Sequence, residues 1–145
     1  MSALAREKIV ESVRGWIGTP YLHQASLRGE GCDCLGLVRG VWREVVGPEP
    51  EAPGPYSSDW AEAGGVESLA QASARHFRPV AKDNFDIGDV LLFRFRDGVP
   101  AKHLAIVATP RTMVHAHDGA RVCEVAISLW WRRRLAFAFQ FPGVA

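Results

Sequence analysis

Gly31-Cys32-Asp33-Cys34-Leu35-Gly36-Leu37-Val38 is the stretch on which the fold of this chain turns. A loop glycine and an acidic residue give way to an apolar, helix-periodic run, so Cys34 stands at the first turn of a helix. First-turn N–H groups have no intrahelical partners and the helix dipole is positive there. A cysteine is therefore most easily held as a thiolate at such a position. Further along, Lys102-His103-Leu104-Ala105-Ile106-Val107 brings a histidine into a strand-like run, and His115 follows in the next such run. Cysteine, histidine and a distant polar residue are the parts of a thiol hydrolase.

Outward from that run, the periodicity changes once. Residues 2–17 place Leu4, Ile9, Val13, Trp16 and Ile17 near one helical face, and Gly18 followed by Pro20 stops that helix. Residues 19–31 are a polar, glycine-containing loop. A second helix over 34–46 buries Leu35, Val38, Val41, Trp42 and Val45 and ends at Gly47-Pro48. Four prolines within 48–58 predict a semi-extended surface crossing, and a short helix is expected over 66–75. After Pro79 the pattern becomes that of strands, at 89–95, 103–109, 113–117, 122–127 and 135–141, punctuated by Asp97-Gly98 and Asp118-Gly119. Helices first and a strand meander second predict an α+β domain with an antiparallel sheet, one domain over residues 1–145.

Composition narrows the function classes. Seventeen basic and 16 acidic residues leave a net charge of +1, which gives no global reason to expect nucleic acid or an anionic membrane as partner. Three cysteines are an odd count for a disulfide framework, so at least one thiol is expected free. The charged, amphipathic start, Ser2-Ala3-Leu4-Ala5-Arg6-Glu7-Lys8, reads as neither a secretory signal nor a membrane span, so synthesis in the cytoplasm is expected.

Each candidate group has a plainer alternative. A core cysteine is the ordinary role of a free thiol, and Cys123, in a strand pattern, is assigned that role. Cys32 lies outside the helix start and reads as a packing thiol. Zinc on Cys32, Cys34 and a histidine, with Cys123 as a distant further cysteine, fits poorly, because structural sites space paired cysteines by two to four residues and need four ligands. No metal or cofactor is expected. His103 is the candidate base. His115 and His117 share one strand face, and periodicity leaves open which of them orients it. Trp130-Trp131-Arg132-Arg133-Arg134 reads either as a strand rim covered by arginine stems or as a docking patch.

Four blocks, taken in order, resemble the NlpC-type cell-wall peptidases, papain-like cysteine hydrolases of bacterial peptidoglycan. Gly18-Thr19-Pro20-Tyr21 is similar to the family's Gly-Thr-Pro-Tyr element, and Asp33-Cys34-Leu35-Gly36-Leu37-Val38 to its Asp-Cys-Ser-Gly-Leu-Val block. Ile87-Gly88-Asp89-Val90 is similar to its Pro-Gly-Asp-Leu strand, and His103-Leu104-Ala105-Ile106 to its His-Val-Gly-Ile strand. The resemblance implies a papain-like fold with N-terminal helices packed on a C-terminal antiparallel sheet of about five to six strands. It implies Cys34 as nucleophile and His103 as base. The family's His-Ala dipeptide matches His115-Ala116, which selects His115 over His117 as the orienting group. Tyr21 and Asp33 match positions that line the substrate pocket in relatives, Asp33 near the stem peptide's free amine.

The implied reaction is hydrolysis of the amide between γ-D-glutamate and a diamino acid in the stem peptide. Leu35 departs from the usual serine beside the nucleophile, which bears on specificity. The doubled cysteine and His23-Gln24-Ala25-Ser26 resemble the compact peptidases of phage tails and gene transfer agents. That subgroup implies action at the target cell wall or periplasm as part of a particle, with tail-tip or baseplate proteins as partners and the 130–134 run as the expected contact. The rival expectations are a structural tail component with little activity, and amidase or acyltransferase chemistry on the same scaffold.

Overall fold

The computed structural model describes residues 3–54 and 67–144. Helix α1 (Arg6–Arg14) buries Ile9, Val10 and Val13, and the chain then turns at Gly18, whose φ of 93° is left-handed. A small hairpin follows, β1 (Ser26–Leu27) with β2 (Gly31–Cys32), and leads directly into α2 (Cys34–Val45). Two glycines let α2 sit deep in the fold. A Cβ on Gly36 would lie 1.8 Å from the Ala25 carbonyl oxygen, and one on Gly40 would lie 2.0 Å from the Trp16 ring. The loop over the helix start and the α1–α2 junction therefore both require glycine. Glu44 fastens the junction, accepting hydrogen bonds from Ser12 Oγ (2.6 Å) and Trp16 Nε1 (3.1 Å).

Helix α3 (Ser68–His76) and strand β3 (Arg78–Val80) lead to the main sheet of β4 (Val90–Phe93), β5 (His103–Thr109), β6 (Thr112–His115), β7 (Cys123–Ala126) and β8 (Leu135–Gln140). The six strands run in the order β3-β8-β4-β5-β6-β7, and every pairing is antiparallel. The α+β architecture and the strand count match the expectation. Alternation divides the sheet into two apolar faces. Val90, Leu92, Leu104 and Ile106 pack against α1 and α2, while Leu91, Phe93, Ala105 and Val107 belong to a second cluster behind.

Three elements differ from the sequence expectation. Strand β3 was not foreseen, because Pro79 lies within it; it is an edge strand paired only to β8, where a missing N–H costs nothing. The 130–134 run is not a strand rim: Leu129–Arg132 form a one-turn helix, α4, capped by Ser128. Cys123 is half-buried on the sheet edge instead of in the core. The helix expected over 66–75 begins at Ser68, with Val66 outside the described residues, as are positions 55–58 of the proline-rich crossing.

The Ile87-Gly88-Asp89 block proves to be an anchor. Asp89 is 1% exposed and receives Arg6 Nη1 at 2.7 Å, tying α1 to the head of β4. Gly88, with φ of 82°, lies against Ile9, where a side chain would crowd the helix.

Candidate active site

Asp33 is the N-cap of α2. Its Oδ1 accepts from the Gly36 N–H (2.7 Å) and its Oδ2 from the Gln24 N–H (2.8 Å), so one carboxylate starts the helix and holds the preceding loop over it. Gln24 takes a left-handed φ of 68° to meet that oxygen. The carboxyl group expected to face substrate is thus 3% exposed, with each oxygen on a backbone N–H.

Cys34 is the first residue of α2 and is half-buried. Its Sγ–H donates to the Lys102 carbonyl oxygen at 3.6 Å, which brings the thiol to the head of β5, one residue from His103. Two opposing effects act on its charge. Burial pushes the thiol up to about 11, and the nearby Asp33 carboxylate adds to that, while the N–H groups of Leu104, Leu35 and Cys34 favour the thiolate. Burial wins. The helix start does supply the donors the sequence implies, yet the resting group is a thiol, not the thiolate expected from its position.

His103 and His115 lie on adjacent strands. The β5–β6 register pairs Ile106 with Val114 and Val107 with Met113; continued, it sets His115 diagonal to His103 on one sheet face. There His103 Nε2 and His115 Nδ1 are 2.8 Å apart, and both rings are nearly inaccessible. Burial, with the neighbouring His115, His117 and Lys102, lowers His103 well below its ordinary value; burial and His117 lower His115 to about 4. Both imidazoles are therefore neutral at pH 7. A neutral His103 that donates from Nε2 leaves Nδ1 unprotonated, the form a general base needs. His117 is exposed, its ring centroid 5.3 Å from that of His103.

Tyr21 is half-buried and bridges Cys32, which is fully buried. Burial raises the Tyr21 phenol to about 12, so it remains an O–H donor. Burial likewise raises Cys32 to about 12, in keeping with a packing thiol. Among the described residues, no group of three or more His, Cys, Asp or Glu is placed to hold a metal ion, and no helix is long and apolar enough to cross a membrane.

The family described as a domain of unknown function (DUF6950) matches residues 23–133, which hold the whole Cys34–His103–His115 arrangement. This chain belongs to the DUF6950 family. Its fold is that of the NlpC/P60 structures. An NlpC/P60 protein from Bacillus cereus superposes with a TM-score of 0.69 at 18% identity, over 96% of this chain and 41% of the other. The NlpC/p60 domain of the peptidoglycan hydrolase SagA gives 0.65 at 22% identity, over 94% and 98%. In sequence, the gamma-DL-glutamyl hydrolase of Bacillus subtilis is 24% identical over 98% of this chain, which spans 31% of that longer protein.

The DUF6950 chain also holds in the site a residue that the sequence reading assigned to a surface. Trp131, on α4, stacks on His103 with ring centroids 5.3 Å apart and planes 26° from parallel, and meets His115 edge-on at 5.4 Å. Phe93 and Phe95 complete the enclosure, at 6.1 and 5.6 Å from the His103 ring. Trp131 is thus a wall of the site and a source of the burial that keeps both imidazoles neutral. The aromatic pair in the sequence signalled a surface; only the turn of α4 sends one indole inward and leaves Trp130 outside.

Proposed function

We propose that this chain is a cysteine endopeptidase of bacterial peptidoglycan, cutting the amide between γ-D-glutamate and a diamino acid in the stem peptide. The observation that carries the reading is the 2.8 Å His103–His115 contact on the strand whose head receives the Cys34 thiol. The printed activity of the Bacillus subtilis relative, a gamma-glutamyl hydrolase, supports the bond class.

In this reaction His103 Nδ1 takes the Cys34 proton as Sγ attacks the γ-carbonyl carbon. The imidazolium so formed is offset by the thiolate and by the Nε2–H bond to His115. The tetrahedral oxyanion sits against the first-turn N–H groups of α2, with the Tyr21 hydroxyl a candidate second donor. His103 then returns the proton to the departing amine, leaving a thioester on Cys34. Water, deprotonated by the same imidazole, attacks the thioester, frees the γ-carboxylate and restores the thiol. Asp33 serves substrate by holding the Gln24 turn over the start of α2 beside Cys34, in addition to any contact with the free amine.

The delivery setting belongs to the same proposal: a component of a phage-like tail that reaches the wall from outside, a reading supported by the doubled-cysteine block. The test of the bond is mass analysis of products from purified sacculi. Fragments ending in a free γ-D-glutamyl carboxylate are expected. Release of intact stem peptides, an amidase product, would redirect the assignment.

A further inference from the structure

Outside the enclosed histidines, α4 presents a ledge that the reaction above does not use. Leu129 and Trp130 are 61% and 48% exposed, side by side, in a chain that buries most of its large apolar groups. Exposed apolar area of this kind marks a contact surface. The ledge is continuous with the site: Phe95 lies 5.6 Å from the His103 ring and 6.4 Å from Trp130, and Lys102 Nζ sits 5.7 Å over the Phe95 ring.

Its charge is one-sided. Elsewhere six arginines each pair with a glutamate. Among the described residues, none of Arg132, Arg133 and Arg134 pairs with a carboxylate, and the sequence holds no acidic residue after Glu124. Glu124 itself is taken by Arg14 and Thr112. Arg134 is fixed by carbonyl groups: Nη1 donates to Trp130 O at 2.9 Å and Nε to Phe95 O at 3.3 Å, and its guanidinium lies 3.7 Å over the Trp130 ring. A guanidinium held in this way keeps its positive field and exchanges little rotamer freedom when an anion arrives.

The geometry points to this ledge as a substrate subsite for a carboxylate next to the scissile bond, with the Arg133–Arg134 charge as its partner and the exposed face of Trp130 as its apolar floor. The inference rests on the peptidase reading, and chemistry links the two. A glutamyl residue joined through its γ-carboxyl keeps its α-carboxylate free, a few bonds from the carbon attacked. Leu35, beside the nucleophile, offers that group no hydrogen bond. A cationic surface bordering the base is the complementary feature.

The experiment measures binding to the full-length Cys34→Ala chain, which cannot turn substrate over. Isothermal titration compares a γ-D-glutamyl stem tripeptide with the same peptide amidated at the glutamyl α-carboxyl. Amidation should weaken binding about tenfold, the value of one charge-assisted contact. Adding Arg133→Ser and Trp130→Ala, both at exposed positions, should reduce that discrimination to within about twofold. Equal affinity for the two peptides overturns the subsite, as does discrimination that survives both surface changes or failure to bind either peptide. Surface variants that disturb only assembly with tail proteins, with peptide discrimination intact, also overturn it. A wild-type chain that cuts nothing while Cys34→Ala still discriminates would sink the peptidase reading and leave the subsite standing.

Discussion

His103 Nε2 and His115 Nδ1 lie 2.8 Å apart, and the base role proposed for His103 fixes the direction of that hydrogen bond, because a neutral imidazole whose Nδ1 is free to take a proton carries its own on Nε2. With His103 donating, His115 must accept at Nδ1 and carry its own proton on Nε2. The group required at position 115 is therefore an acceptor, not a charge. His115→Ala should lower kcat about a hundredfold with KM little changed, and His115→Asn, whose amide oxygen can accept the same bond, should recover much of the loss. Steady-state kinetics on a soluble stem peptide would check this; an alanine variant as active as wild type would remove His115 from the mechanism.

The same burial makes stability depend on pH. His115 titrates near 4 in the fold against 6.5 for the free group, so between those values the unfolded chain binds more protons. This stability is complete above about pH 7 and is lost as pH falls toward 4. At 1.36 kcal/mol per unit the loss from this residue is about 3 kcal/mol. Urea unfolding at pH 7 and pH 4.5 should show wild type losing more stability than His115→Gln. Equal losses would mean that the imidazole is not held neutral.

Trp131 supplies part of that enclosure, which leads to a test on a residue that does no chemistry. Trp131→Ala should let water reach His103 and His115 and raise both titrations toward 6.5. The acid limb of kcat/KM should then move up by about one pH unit, while Trp131→Phe, which keeps a ring over His103, should move it less. Histidine NMR titrations give the same shift without depending on activity. A variant that loses rate at every pH with an unmoved limb would reduce Trp131 to ordinary packing.

What the sequence conveyed and what it withheld divide along physical lines. Helices α1 and α2 and five strands of the main sheet were legible, because each carries its own period and its own stop signals, Gly18 and Gly47-Pro48 among them. Cys34 and His103 were legible from their places at the start of a helix and of a strand. The choice between His115 and His117 was not legible from periodicity, since both share a face; the resemblance selected His115, and it is His115 whose Nδ1 lies 2.8 Å from His103 Nε2. Charge at Cys34 was also out of reach, because the opposing terms depend on how deeply the tertiary fold buries it. Trp131 was invisible for a related reason: a one-turn helix has too few residues to show a period, and its inward face exists only once β4 and β5 are in place.

Asp33 illustrates a residue whose structural role sequence reasoning understated. Asp33→Ala removes the α2 cap and the anchor of the Gln24 turn together, and should cost about 2 kcal/mol or more of stability. Asp33→Ser, which can cap Gly36 but cannot also reach Gln24, should recover part of it. Thermal melts of the two variants should differ; indistinguishable melts would mean that the cap contributes little to the fold.

The central claim is that Cys34 is the nucleophile, and digestion of purified sacculi tests it most directly. Wild type and Cys32→Ala should release γ-D-glutamyl fragments, with Cys32→Ala retaining most of the rate, and Cys34→Ala should release none above background. Identical muropeptide profiles from wild type and Cys34→Ala would contradict the account.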